Sequence, residues 1–279
     1  MKIERKRKRS LRIGCVRYLN AQPLIYGWAG EVVRDHPSAL CAQLARGDLD
    51  VALVSSFEFL RNPIYRIVDG VSIASEGPVY SVVVAHRGKF EDVKEVALDP
   101  AAETSGNLLR YLLGELNLGA RIISSSAGES ARLLIGDQAI RFREQHEDGE
   151  ANLRQPSPAL APIRSLIDTE RWEFWDLGEQ WKKLRRLPFV YALWLVRPEV
   201  QDAQSIADRL RALRDANLGD LNKIIANQLE FSPEFCRRYY RDHLRFTFGK
   251  DEKQGLHAFA QLCQKYGLLP KREIVLNLV

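Results

Sequence analysis

The residues best suited to chemistry in this chain are small and polar: Asn20, Ser55-Ser56, Thr104-Ser105 and Asp137. A hydroxyl beside the free backbone N–H groups of a helix start binds a carboxylate, because it offers donors and partial positive charge without a competing anion. Two such sites suit a dianion. The same side chains have a purely structural use, since Thr104 or Ser105 can simply cap the helix that follows. Asp137 either accepts a hydrogen bond from a substrate or water, or closes a loop or cap. The run Glu76-Gly77-Pro78-Val79-Tyr80-Ser81 taken alone reads as a turn entering a strand.

Other chemistries lack their signatures. The histidines His36, His86, His146, His243 and His257 are scattered, and none sits in a G-x-S-x-G or H-E-x-x-H setting. Walker A and G-x-G-x-x-G sequences are missing, so phosphate cradling has no support. Cys15, Cys41, Cys236 and Cys263 are far apart, with neither C-x-x-C nor metal-ligand spacing; they read as buried thiols in a reducing compartment, with no metal site expected. No apolar run approaches the roughly 18 to 20 residues a membrane span requires. The net charge of +5 is concentrated in the basic tail of residues 1–10 and in pairs such as Arg185-Arg186 and Arg237-Arg238. Without a recognition-helix or zinc-finger pattern, this excess reads as solvated surface charge and not as a nucleic-acid footprint. No apolar segment follows the tail, so export is not expected and the chain is read as cytoplasmic.

The elements that must position these residues alternate strand and helix. Leu11–Val16 reads as a strand, followed by a helix over 21–28 with Pro23 in its first turn. Pro37–Arg46 reads as a helix closed by Gly47, and 50–54 as a buried strand ending at Ser55-Ser56. Strands are expected over 65–73 and 79–85, adjacent in one sheet across the turn at Ser75–Pro78, and again over 93–98. Thr104-Ser105-Gly106 opens a helix through Leu116, and Leu133–Ile135 is a strand ending at Gly136-Asp137. Segment 141–171, with Pro156, Pro158 and Pro162, reads as an exposed excursion. A strand over 187–196 precedes helices over 202–213, 220–227, 233–241 and 253–266. Such alternation implies a mainly parallel α/β arrangement, whose ligands sit at the carboxyl ends of the strands. Asn20, Ser55-Ser56, Thr104-Ser105 and Asp137 all fall at such exits.

Val16-Arg17-Tyr18-Leu19-Asn20-Ala21-Gln22-Pro23-Leu24 resembles the opening V-x-Y-L-N-x-x-P-L of the chorismate dehydratase family, which acts on the futalosine route to menaquinone. The segments 49–58 and 72–82 resemble its second and third motifs. Leu98-Asp99 with Thr104-Ser105, Ile135-Gly136-Asp137-Gln138-Ala139, Asp176-Leu177-Gly178 and Leu187-Pro188-Phe189-Val190 continue the order. The resemblance covers about residues 11 to 270. A neighbouring enzyme of that route shares the fold but is expected to carry a histidine where this chain has Gly136-Asp137, which favours the dehydratase.

The resemblance implies an α/β, two-lobed type II periplasmic-binding-protein-like fold with two crossover segments. Lobe I is expected over 11–85 and 191–279, and lobe II over 86–190. The implied activity is elimination of water from chorismate, a small dianion, to give 3-[(1-carboxyvinyl)oxy]benzoate, without metal or redox cofactor. It places Asn20 and Ser81 at the reacting centre, Ser55, Ser56, Thr104 and Ser105 on carboxylates, and Asp137 on the cleft wall. Asn20 and Ser81 are poor bases at neutral pH, so the substrate's own enolpyruvyl carboxylate is the expected proton acceptor. The chain departs from the family's usual pattern at Arg185-Arg186 and at Glu103 beside the proposed anion site. A non-catalytic carboxylate-binding protein of the same fold is the alternative; a regulator's effector domain ranks lower, because no helix-turn-helix precedes Leu11.

Overall fold

The computed structural model describes residues 10–98, 102–124, 130–147 and 171–279. The basic tail up to residue 9, Asp99 and most of the proline-containing excursion lie outside the described residues. The first sheet is built from β1 (Ile13–Val16), β2 (Val32–Asp35), β3 (Val51–Ser55), β4 (Arg66–Ser75) and β10 (Phe189–Val196), in the order β2-β1-β3-β10-β4. Strand β1 runs parallel to β2 and β3, and β10 runs antiparallel to β3 and β4. The second sheet comprises β5 (Val82–Arg87), β6 (Glu95–Leu98), β7 (Arg121–Ser124), β8 (Ala131–Ile135) and β9 (Trp172–Asp176), in the order β7-β6-β8-β5-β9. Each sheet thus has a parallel half and one strand running against it, next to a neighbour contributed from far along the chain.

The central strands are covered on both faces, which is why their sequences read as continuous apolar runs instead of alternating ones. Every residue of β1 is buried, as are Val51–Val54 of β3. The covering helices of the first half are α1 (Gln22–Ile25), entered through a 3₁₀ turn at Leu19–Ala21, α2 (Pro37–Arg46), and α3 (Ser56–Arg61). Helix α2 ends where expected, at Gly47, whose φ of 83° is left-handed and closes the helix with its N–H on Gln43 and Leu44 carbonyls. Helices α4 (Glu103–Glu115), α5 (Gly136–Glu147) and α6 (Leu177–Arg185) belong to the second half. The C-terminal part supplies α7 (Ala203–Gly219), α8 (Leu221–Ile225), α9 (Pro233–Arg238), a π-helical turn at Tyr239–His243, and α10 (Lys250–Lys265).

Several sequence expectations are corrected. Strands β4 and β5 are not neighbours in one sheet: β4 pairs with β10, and β5 with β8 and β9. The turn between them is a crossover between lobes. The boundaries expected at 85/86 and 190/191 fall inside β5 and β10, each of which is continuous within a single sheet. Helix α5 extends to Glu147, so the segment read as an excursion from Arg141 begins as helix. Strands β2, β7 and β9 escaped the sequence reading because their half-exposed faces give no sustained apolar pattern. The chain does not end as helix alone, since Leu278 bridges to Ile67 on β4.

Asp176 ties the outgoing crossover to the start of α6. Its carboxylate accepts from the backbone N–H of Val79 at 3.1 Å and Tyr80 at 2.8 Å on the outgoing crossover, and from Glu179 at 3.1 Å as the N-cap of α6. Tyr80 is left-handed at φ 67°, which costs a non-glycine residue about 1 kcal/mol or more. Besides the Asp176 hydrogen bond, Arg143 lies 3.9 Å over its ring centroid. Gly178 is required beside them, because a Cβ there would sit 2.5 Å from the Gly77 carbonyl oxygen. Asp176→Ala would leave three largely buried N–H groups without their acceptor, and should lower the unfolding free energy by about 3 kcal/mol or more. Denaturant titration measures it, and a loss below about 1 kcal/mol would show that water replaces the carboxylate.

Candidate active site

Between the sheets lies a narrow cleft of about 80 Å³, lined from the first lobe by Tyr18, Asn20, Ser55 and Tyr191, and from the second by Thr104, Ser105 and Gly136. Ser81, at the end of the outgoing crossover, is also on its wall. The sequence-selected residues Asn20, Ser55, Ser81, Thr104 and Ser105 are therefore brought together. Ser56 and Asp137 are not among the lining side chains.

The reason differs for each. Ser55 and Ser56 are consecutive at the turn from β3 into α3, so their side chains diverge. Ser55 Oγ faces the cleft, where it caps α3 by accepting from Phe57 N–H at 3.2 Å and hydrogen-bonds the Thr104 hydroxyl of the opposite lobe. Ser56 Oγ points into the protein and donates to the Val190 carbonyl at 2.7 Å. Its hydroxyl is spent on backbone. Thr104 is in the first turn of α4 and makes no capping hydrogen bond within that helix; its hydroxyl instead accepts from Phe57 N–H at the start of α3 at 3.4 Å.

Asp137 Oδ1 accepts from Leu19 N–H at 2.7 Å, reaching from the start of α5 across to the 3₁₀ turn of the first lobe. Tyr240 Oη donates to the Leu19 carbonyl at 3.1 Å. Leu19, which precedes Asn20, is thus held at both its N–H and its carbonyl, while Asn20 Oδ1 is buried with no hydrogen-bond partner. Gly136 allows the lobes to meet here: its φ is 59°, and a Cβ would lie 2.8 Å from the Tyr18 ring.

Ser81 accepts a hydrogen bond from Tyr239 Oη at 2.6 Å, and both residues are fully buried. Tyr239 and Tyr240 were missed in the sequence, where two tyrosines inside an amphipathic helical run carry no signal beyond core packing. Burial pushes the Tyr239 phenol well above its ordinary pKa, against hydrogen bonding to Ser81 and to the Asn20 side chain.

Charge in and around the cleft is mostly accounted for by pairs. Glu103, on its lip, pairs with Arg61 at 2.8 Å, and Arg61 also binds the buried Glu58. Arg185 turns to Tyr111 Oη and Glu115 on α4 at 2.6 and 2.8 Å, and Arg186 is the left-handed C-cap of α6. Neither departure from the family pattern adds a free cation to the cleft. What the cleft offers an anion is hydroxyls and the N-terminal ends of α2, α4 and α5, represented on its wall by Pro37, Thr104 and Gly136. Among the described residues, no group of three or more His, Cys, Asp or Glu is placed to hold a metal ion, and no helix is long and apolar enough to cross a membrane. The four cysteines are unpaired, and burial pushes the Cys15, Cys41 and Cys263 thiols up to about 12.

Two mixed sheets facing each other across a cleft, joined by two crossovers, define the two-lobed periplasmic-binding-protein-like class. Solved structures agree. A protein of Archaeoglobus fulgidus superposes with a TM-score of 0.63 at 16% identity, covering 93% of this chain and 98% of that one. The aliphatic sulphonate binding protein SsuA of Escherichia coli gives 0.59 at 15% identity, with 94% of each chain covered. The alkanesulfonate-binding SsuA of Xanthomonas axonopodis pv. citri, bound to MOPS, gives 0.60 at 14%, covering 95% and 96%. These likenesses concern the fold. In sequence, the model of the menaquinone biosynthesis family matches residues 11–265. The chorismate dehydratase of Thermus thermophilus is 30% identical over 264 residues, 89% of this chain and 93% of that protein. The chain belongs to this menaquinone biosynthesis family.

The Asp137–Leu19 contact has a pH signature. Burial, the largest influence, pushes the Asp137 carboxyl up to about 6, against the Leu19 hydrogen bond and Arg141. In the unfolded chain an aspartate titrates at about 3.9. The folded state therefore holds the proton more tightly, and this group's contribution to stability falls as pH rises from about 4 to about 6, then stays level. Asp137→Asn keeps an Oδ1 acceptor and cannot ionise. Its stability relative to wild type, followed by denaturant midpoints, should rise across that window and plateau above it. A difference that is constant from pH 4 to 7 would contradict the assignment.

Proposed function

We propose that this protein is a chorismate dehydratase that eliminates water from chorismate to give 3-[(1-carboxyvinyl)oxy]benzoate, and that the cleft is its active site. The observation that carries the reading is the union, at one cleft, of Asn20, Ser55, Ser81, Thr104 and Ser105 in a chain of the menaquinone biosynthesis family. The 30% identity to a chorismate dehydratase supports the substrate. The unpaired cysteines suit action in the reducing cytoplasm.

The reaction removes a ring proton and the ring hydroxyl, which leave together as water while the ring becomes aromatic. Aromatisation supplies the driving force, so the protein's task is to fix a dianion, exclude bulk water and stabilise charge as it moves. Ser55, Thr104 and Ser105 bind carboxylate through hydroxyls and the N-terminal end of α4. Asn20 Oδ1, buried and lacking a donor, is suited to accept from the substrate hydroxyl. Ser81 offers its hydroxyl proton to the departing oxygen or to the charge left on the ring. The proton acceptor is the substrate's enolpyruvyl carboxylate, because neither Asn20 nor Ser81 is basic at neutral pH.

Purified protein incubated with chorismate should yield an aromatic absorbance and a product 18 mass units lighter, the mass of one water, by simple chemical balance. Tight binding without product would instead identify a non-catalytic carboxylate-binding protein. Asn20→Ala should reduce kcat by about a hundredfold while shifting Tm by only a few degrees, since it removes a cleft acceptor and no core packing. Parallel loss of folding would make Asn20 structural. A chorismate analogue without the side-chain carboxylate should lose ring-proton exchange with solvent; undiminished exchange would remove that carboxylate from the role of base.

A further inference from the structure

We propose that Tyr239 is a positioning residue for this reaction: by donating its own hydrogen bond to Ser81 Oγ, it obliges the Ser81 proton to point into the cleft. The proposal rests on the dehydratase reading and adds a residue to it. A serine hydroxyl has one proton and two lone pairs, and it rotates freely unless a neighbour fixes it. Tyr239 Oη donates to Ser81 Oγ at 2.6 Å, with both side chains fully buried. One lone pair is thereby occupied, and the Ser81 proton cannot be given back along the same line. A phenol is also the stronger donor of the two. Ser81 is on the cleft wall, so its remaining donor direction is toward the bound molecule.

The tyrosine is well fixed for this task. Its ring stacks on Phe235 with centroids 5.6 Å apart and planes 15° from parallel. It opens the π-helical turn Tyr239–His243, an irregularity that recurs at functional sites because it re-aims side chains within a helix. Consecutive residues of that turn serve the two reacting-centre residues. Tyr239 orients Ser81, and Tyr240 Oη holds the Leu19 carbonyl next to Asn20. Burial keeps the phenol protonated, and hence a donor, throughout the neutral range.

The test is Tyr239→Phe in the full chain, assayed with chorismate alongside wild type, Ser81→Ala and the double variant. Loss of an orienting partner behind a reacting group costs about tenfold or more in kcat, with KM and product affinity changed less than about twofold. In the Ser81→Ala background, Tyr239→Phe should cost nothing further, because there is no hydroxyl left to orient. A ring-fluorinated tyrosine at position 239 keeps shape and hydroxyl, and should restore turnover to near the wild-type level. Wild-type turnover in Tyr239→Phe would overturn the proposal. So would an equal loss with and without Ser81, or a loss in the fluorinated protein as large as in Tyr239→Phe, either of which marks a packing effect. If wild type itself forms no aromatic product, the dehydratase reading fails first and takes this role with it.

Discussion

The Leu19 backbone is held from two directions, by its N–H and by its carbonyl, and the candidate site depends on that double hold. Asp137 reaches from the second lobe to the Leu19 N–H, and Tyr240 reaches from the C-terminal helices to the Leu19 carbonyl. A 3₁₀ turn of three residues has no length to stabilise itself, so its geometry must come from partners. Those partners belong to segments more than a hundred residues away. Asn20, carried on this turn, consequently keeps a buried oxygen without a donor, an arrangement that costs free energy unless something arrives to fill it. The turn also lies where the lobes meet, with Tyr18 packed against Gly136, so the segment carrying Asn20 and the lobe contact are one structure.

Near the cleft mouth and wall the lobes touch through polar groups, while Trp181 packs on Phe189 and Phe259 behind it. Ser55 meets Thr104, Arg61 meets Glu103, Arg141 meets Glu230, and Asp137 meets the Leu19 peptide. Surface ion pairs such as Arg141–Glu230 contribute little individually, whereas a hydroxyl contact within a cleft is easily exchanged for a ligand carboxylate. The Ser55–Thr104 hydrogen bond is therefore an apt site for substrate to enter: a carboxylate between them accepts from both hydroxyls and keeps the lobes joined. The outgoing crossover is held more firmly, because Asp176 accepts from its Val79 and Tyr80 N–H groups. A fold of this kind fixes its connecting segments and leaves exchangeable contacts facing the ligand.

Much of the fold was legible because buried strands followed by capped helices leave a plain local trace. Helix α2 was read to the residue from Pro37 and Gly47, and the exits at Ser55 and Thr104 mark real walls of the cleft. The errors have physical causes. Strands β4 and β5 are separated by a short Gly-Pro turn that looks like a hairpin, and the partners that draw the chain into the second sheet there, β8, β9 and Asp176, are all distant in sequence. Ser56 was grouped with Ser55 by identity, although neighbouring side chains at a strand-to-helix turn diverge and Ser56 is consumed by Val190. Tyr239 and Tyr240 could not be read locally, because their meaning lies in contacts to Ser81 and Leu19 across the molecule. The family motifs point to Asn20 and Ser81 but carry no trace of the tyrosines hydrogen-bonded beside them.

The central claim is that one dianion is gripped by hydroxyls from both lobes at this cleft. A crystal structure of the protein with bound 3-[(1-carboxyvinyl)oxy]benzoate tests it most directly. One ligand carboxylate should lie within hydrogen-bond distance of both Ser55 and Thr104, with the ring beside Asn20 and Ser81. A ligand bound outside the cleft, or one inside it that leaves the Ser55–Thr104 contact intact and touches only one lobe, would contradict it.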